Sequence, residues 1–500
     1  MRKYVIWVFS CINIGALTHT VMANPEESVV KITASVRFPN PVQPWARAQP
    51  AQSVGTGVII EGKRILTNAH LVEYGTEIYV EDRKGGEKLE ATVQALNIDV
   101  DLAILTLTDE KFFHKRVVLP RAPQLPQIQD RVSIYGFPIG GNDLSVTKGE
   151  VSRIEYGFYG RSIGPVIQVS AAVNPGNSGG PAVVDAKMIG LVVSRVRNAQ
   201  NIGSIIPNEE IEIFLGDLKR GRNQGKPVID TRLFVQSLEN KTLRRKFKVD
   251  AAVRGVLVQT VSANPESSSL QPFDVLTKIG EYPIDNLGFI QLKSGLRAPF
   301  LYMVPQLARD NAVPATVWRQ GKQVAVSLPV TTKDHRLIRP YQGEPLSFFI
   351  HGPLVFAQGK SDDISLYAQM NRTFYLDNSP LVTRADDLVR FPGEELVVVS
   401  SRMFAHPSAK GYADPVGKVV KDLNGIPIKN LRHLVETIRD CKDEFLTFRF
   451  ADNFSEMLVF DRKELGKVTD NILEENGIPA NRRGSPDMLK IWKASSGTGK

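Results

Sequence analysis

Residues 168–182 read Gln-Val-Ser-Ala-Ala-Val-Asn-Pro-Gly-Asn-Ser-Gly-Gly-Pro-Ala, and their centre, Gly176-Asn177-Ser178-Gly179-Gly180-Pro181, decides the fold. One serine sits in a turn with a glycine two positions before it and glycines at both positions after it. A nucleophilic serine needs its hydroxyl clear of neighbouring side chains. It also needs backbone N–H groups aimed at the oxyanion that forms when it attacks a carbonyl. Glycine permits such a turn because it lacks a Cβ, although the same hexapeptide taken alone also reads as a hairpin turn. A serine hydroxyl is a poor nucleophile near neutral pH and requires a base, which in turn requires an orienting acid. Among the seven histidines, His70 closes the strand-like run Ile65-Leu66-Thr67-Asn68-Ala69-His70. Asp99 and Asp101 stand just before the apolar run Leu102-Ala103-Ile104-Leu105. Singly, these read as a structural histidine and solvated turn acids. Their joint occurrence, in the order His, Asp, Ser, in a region rich in short strands points to acyl-transfer chemistry. Asp99 and Asp101 share strand parity, so spacing leaves both open as the acid.

That chain order is the one found in chymotrypsin-like double β-barrels, and it differs from those of subtilisin and the α/β-hydrolases. Thr56-Gly57-Val58-Ile59-Ile60, Leu66-Thr67-Asn68-Ala69-His70-Leu71-Val72, Asp101-Leu102-Ala103-Ile104-Leu105 and the serine hexapeptide together resemble the Deg/HtrA serine proteases across residues 29–220. The resemblance implies Ser178 as nucleophile, His70 as general base and then acid, and Asp101 as orienting carboxylate, the Asp-Leu-Ala match deciding against Asp99. It implies the N–H groups of Gly176 and Ser178 as the oxyanion hole. It places Ala172, six residues before the nucleophile, at the bottom of the specificity pocket, with Leu191, Val192 and Val193 on its wall. A basic substrate side chain would be buried there without a partner, which is costly, so cleavage after small or medium aliphatic residues is expected. Arg195 and Arg197, beyond the wall, are read as solvent-exposed. The same likeness implies a homo-oligomer, a trimer or a multiple of trimers. Val36, Phe38 and Trp45 are then either subunit contacts or ordinary core and loop anchors. Residues 157–164, with three glycines and two aromatics, read as a mobile surface loop that senses bound peptide. No cofactor or metal is implied, since no ligand-spaced Cys/His cluster occurs.

Five hundred residues correspond to about three domains of ordinary size. With 42% hydrophobic and 23% charged residues the chain is globular rather than disordered. The formal charge of +9 is modest for this length, and its densest run, Lys241-Thr242-Leu243-Arg244-Arg245-Lys246-Phe247-Lys248, lacks the recognised module that a nucleic-acid partner would require. Arg2 and Lys3, an apolar stretch over 4–17 and Val21-Met22-Ala23 compose an export signal over 1–23, too short for a membrane anchor. A periplasmic or secreted address follows. Of the two cysteines, Cys11 lies in that stretch, so the mature chain keeps only Cys441 and no intramolecular disulfide.

The expected organisation is mainly β: a protease domain over 24–227, two PDZ-like α+β domains over 228–332 and 345–462, and a C-terminal helix with a flexible tail over 463–500. Asn208 with Glu209-Glu210 reads as a helix cap with an acidic first turn. In the first PDZ-like segment, Arg254, Gly255, Val256 and Leu257 are the expected peptide-binding loop, taking a C-terminal peptide as an added strand. In the second, Gly393-Glu394-Glu395-Leu396 carries two acids where a peptide carboxylate would dock, which favours assembly or intramolecular docking. The implied function is an ATP-independent endopeptidase acting on unfolded or misfolded proteins. The alternatives are a secreted protease with one specific target and a non-catalytic peptide-binding or chaperone scaffold.

Overall fold

The computed structural model describes residues 24–82, 86–114, 116–141, 143–193, 203–229, 233–260, 269–371 and 373–494. The leader 1–23 and Arg195 and Arg197 lie outside these residues. The first twelve strands are β1 (Val29–Val36), β2 (Ala51–Ile60), β3 (Arg64–Thr67), β4 (Gly75–Glu81), β5 (Leu89–Asn97), β6 (Leu102–Leu107), β7 (Arg131–Gly136), β8 (Ser145–Tyr159), β9 (Ser162–Val169), β10 (Pro181–Val184), β11 (Lys187–Val193) and β12 (Gly203–Pro207). They close into two six-stranded barrels, ordered β1-β2-β3-β6-β5-β4 and β10-β11-β12-β9-β8-β7. Closure leaves neither sheet an edge to pair with other chains. Alternation explains the packing. In β1, Val30, Ile32, Ala34 and Val36 fill the first barrel. In β2, Ile59 faces that core, while Val58 and Ile60 turn the other way to meet Leu191, Ile206 and Phe214 between the barrels.

Helix Asn208–Lys219 seals this inter-barrel core through Ile211 and Phe214. Asn208 is not its cap. Its side-chain amide donates to the carbonyls of Ala122 and Met188 at 2.9 and 2.6 Å, tying the helix to the second barrel.

Residues 157–164 are not a separate loop either. They continue β8 and β9 in register, Gly157 opposite Gly164, around a tight turn at Gly160 whose φ is +56°. The hairpin is held because it is a docking surface. The Tyr156 ring meets Tyr302 edge-on at 4.8 Å, Ile163 joins the core of the next module, and Tyr302 donates to Glu209 at 2.7 Å. Lys226, in the connecting segment, is buried against Glu210 in an ion pair on the same side.

That module, spanning Val228–Ile229 to Lys322–Thr331, is built on a seven-stranded sheet with Val228–Ile229 at one end and Phe234–Ser237 at the other. The second module begins with strands Phe348–His351 and Leu354–Gln358, and helix Leu431–Asp440 buries Leu431, Leu434, Val435 and Ile438 on one face. Residues 484–494 are folded where the composition suggested a flexible tail, and residues 495–500 lie outside the described residues. Helix Pro486–Lys493 buries Met488 and Ile491 in the same core as helix Leu431–Asp440. Just before it, Ile350 N–H donates to Arg483 C=O at 2.8 Å and Ser485 N–H to Phe348 C=O at 3.0 Å, so residues 483–485 pair with the edge of strand Phe348–His351.

Of the three residues expected at a subunit contact or as anchors, Val36 is barrel core. Trp45 packs on Phe404 of the second module with ring centroids 5.5 Å apart. Phe38 is 45% exposed.

Candidate active site

His70 lies on the single turn of helix Ala69–Val72 that follows β3, and Asp101 on the turn that enters β6. Since β3 and β6 are paired, with Thr67 opposite Ala103, the two residues leave the sheet side by side. Asp101 has φ +56°, a left-handed conformation that aspartate tolerates better than most residues. Its carboxylate accepts the His70 backbone N–H at 2.9 Å and faces ring Nδ1 at 3.0 and 2.7 Å. Asn68 donates to the Asp101 carbonyl at 3.0 Å, pinning the turn. An ionised carboxylate only accepts, so Nδ1 carries the ring proton and Nε2 presents a lone pair. Asp99 goes elsewhere: it packs against Gly160, and burial pushes its carboxyl above the usual range despite nearby Arg336 and Arg161.

Ser178 is almost wholly buried, at the head of the turn between β9 and β10. The glycines there are dictated by space. Gly176 has φ +100°, and a Cβ would meet the Phe137 carbonyl at 2.3 Å. Gly179 has φ +82°, and a Cβ would meet the Thr56 carbonyl at 2.0 Å and the Thr67 hydroxyl at 2.4 Å. The serine turn therefore lies flush on β2 and β3, three residues before His70.

The four peptide planes of the turn can be accounted for individually. The Asn177 N–H donates to Asn174 at 3.0 Å and the Gly179 N–H to Val192 at 2.9 Å. The Pro175 carbonyl accepts from Ile139 at 2.9 Å and the Asn177 carbonyl from Gly180 at 3.0 Å. A peptide is planar and, here, trans throughout. Fixing those two carbonyls therefore fixes the opposite directions of the Gly176 and Ser178 N–H groups.

The structure disposes the remaining sequence candidates differently. Ala172 is exposed, and Val193 is partly open. Leu191 and Val192 are not presented to a cleft; each has 0% exposure, inside the inter-barrel and second-barrel cores respectively. Val256 and Leu257 pair with Ser237 and Gln236 on one side and with Leu276 and Val275 on the other. No strand can be added to a strand already paired on both sides, so the expected strand addition does not fit at Val256 and Leu257; Arg254 and Gly255 precede that strand. Among the described residues the end strands of this sheet are Phe234–Ser237, beside Val256–Thr260, and Val228–Ile229 at the opposite end. Sequence alternation could not separate an edge strand from an interior one. Glu394 ion-pairs with Arg384 at 2.9 Å, and the Glu395 carboxylate accepts the Leu431 N–H at the start of a helix, so both acids are spent internally. Among the described residues no cluster of His, Cys, Asp and Glu could hold a metal.

Residues 55–191 match the trypsin-like peptidase domain family, and residues 339–487 match a PDZ domain family. Protease Do-like 2, chloroplastic, of Arabidopsis thaliana is 34% identical over 93% of this chain and 76% of its own length. Protease Do-like 4, mitochondrial, of the same plant is 31% identical over 91% of this chain and 84% of its own. Among solved structures, the HtrA-type protease AlgW with decapeptide covers 63% of this chain and 97% of its own at 20% identity, with a TM-score of 0.48. The chain belongs to the Do-like, or Deg/HtrA, family of serine proteases.

Proposed function

We propose that Ser178, His70 and Asp101 form the catalytic triad of this endopeptidase. The observation that carries the reading is the Asp101 carboxylate gripping both the backbone and the Nδ1 of His70. In this reading His70 Nε2 takes the Ser178 proton as the hydroxyl attacks a substrate carbonyl, then gives it to the leaving amine. Asp101 holds the ring in its tautomer and stabilises the imidazolium. The Gly176 and Ser178 N–H groups receive the oxyanion. Ser178→Ala should abolish casein degradation while leaving casein binding intact, and a serine-directed fluorophosphonate should label Ser178 alone. Cleavage by the alanine variant, or label elsewhere, overturns the assignment.

Unfolded or misfolded protein is the proposed substrate, cut after small or medium aliphatic residues. With Leu191 and Val192 buried, that preference rests on Ala172 and Val193, neither of which offers a carboxylate to a basic side chain. The proposed docking edge for a C-terminal peptide is strand Phe234–Ser237. A homo-oligomer is proposed on exposed Phe38, since Val36 and Trp45 are engaged within the chain. Among the described residues no helix is long and apolar enough to cross a membrane. Export is proposed on the pattern of residues 1–23. The relatives named chloroplastic and mitochondrial make organelle import the competing destination, and N-terminal sequencing of the mature protein after cell fractionation separates the two.

A further inference from the structure

Thr56 belongs to the first barrel, yet its polar groups serve the serine turn of the second. Strand β2 extends beyond its pairing with β3, whose register begins at Val58 opposite Leu66. The stretch of β2 left open is filled by the serine turn. There the Thr56 backbone N–H donates to the Ser178 carbonyl at 2.9 Å, and its hydroxyl donates to the Gly176 carbonyl at 2.7 Å. The same hydroxyl accepts the Phe137 N–H at 2.9 Å, and the Thr56 carbonyl accepts the Thr67 hydroxyl at 2.8 Å. Thr56 and Thr67 are both fully buried.

The two carbonyls that Thr56 holds belong to the peptide planes on either side of the Asn177–Ser178 peptide. Clamping both neighbours leaves that central plane, whose N–H is the one on Ser178, little freedom to rotate. The hydroxyl also joins the Gly176 carbonyl to the Phe137 N–H, one residue pair away from the bond between Ile139 and Pro175 that orients the Gly176 N–H. One residue of the opposite barrel thus bears on both proposed oxyanion donors, its hydroxyl through the Gly176 carbonyl and its backbone N–H through the Ser178 carbonyl.

We propose that Thr56 is a positioning residue for the cleavage reaction: it sets the direction of the oxyanion donors and thereby couples formation of the oxyanion site to correct docking of the two barrels. The inference rests on the triad reading above. A barrel staple with no bearing on chemistry would affect stability alone. A residue that aims donors at charge developing in the transition state affects turnover and leaves ground-state binding untouched.

The test is Thr56→Val, which keeps the shape and removes the hydroxyl, against Thr56→Ser, which keeps the hydroxyl. With a fluorogenic peptide cut after valine, Thr56→Val should lower kcat by roughly 10- to 100-fold with KM within about 2-fold. The rate of fluorophosphonate labelling should fall in parallel. Thr56→Ser should restore both to within about 3-fold of the parent, and casein binding by the Ser178→Ala protein should be unaffected by adding Thr56→Val. A Thr56→Val protein with a lowered Tm but parental kcat overturns the proposal, as does a Thr56→Ser protein as slow as Thr56→Val. If Thr56→Val fails to fold, Thr67→Val carries the test. It frees the Thr56 carbonyl only, and should lower kcat by a smaller factor; an unchanged kcat overturns the proposal. Activity surviving in Ser178→Ala identifies failure of the triad reading itself, and with it this one.

Discussion

In the first PDZ module strand Phe234–Ser237 is an end strand of the described sheet, next to Val256–Thr260. In the second module the edge of strand Phe348–His351 is closed by residues 483–485 of the same chain, with helix Pro486–Lys493 packed behind them. An unpaired sheet edge is a row of backbone donors and acceptors that will recruit a strand from somewhere. The end strand of the first module is the one proposed above to take a peptide. At strand Phe348–His351 the second module meets the demand from within, and an internal strand at high effective concentration excludes an external one. What separates the two modules at these strands is a C-terminal segment, the clamp of the second module.

The comparison breaks most forcefully if the clamp is loosened. Ile491→Ala removes a buried side chain from the core beneath the added segment and should cost the second module roughly 2–5 kcal/mol. Hydrogen exchange at the Ile350 amide, which donates to Arg483, should rise with that loss while the first module stays protected. Unchanged protection would mean that the segment is not what closes the edge.

The next effect concerns acidity. His351 is buried against Arg483, whose Nη2 meets its Nδ1 at 2.7 Å, and burial together with that cation holds the imidazole down at about 3. In the unfolded chain it titrates near 6.5, so below that pH the unfolded state binds a proton that the folded state refuses. Stability is therefore full above about 6.5 and is lost as pH falls towards 3. His351 alone should contribute a loss of roughly 2 kcal/mol between pH 7 and pH 5, read as the difference between the parent and His351→Gln because Asp363 of the same module, raised by burial to about 6, acts in the opposite direction. Residues 228–332 contain no histidine and supply no such term. Urea unfolding at the two pH values, with His351→Gln flattening the difference, measures this.

The smallest effect lies on the end strand Phe234–Ser237. Phe234 is 49% exposed, so Phe234→Asp should change stability by less than about 0.5 kcal/mol. It should weaken binding of an apolar C-terminal peptide by roughly tenfold, about 1.4 kcal/mol, read by fluorescence anisotropy. Unaltered affinity would move the peptide site off this strand.

The barrels were legible because closed barrels impose strict alternation, and residues such as Val30, Ile32 and Ala34 obey it. The juxtaposition of His70 and Asp101 follows from their places at the ends of paired strands. What the sequence concealed depends on who sits beside whom. Thr56 belongs to a motif quoted for its family likeness, but its role stays hidden until the serine turn is laid against it. Leu191 and Val192 look like a pocket wall until both barrels claim them. Composition made the C-terminal segment look like a tail, but Met488 and Ile491, three apart on a helix, were enough to bury one face of it.

Trp45 rests on Phe404, and Arg482 donates to the Trp45 carbonyl at 3.5 Å across 437 residues of chain. During synthesis at roughly 5–20 residues per second, residue 482 is made about 20–90 s after residue 45. The first barrel can close long before its partner surface exists, so its indole waits bare while the rest is translated. A chain threaded across a membrane from its N-terminus keeps the same order: the protease unit emerges whole while its clamp is still to come.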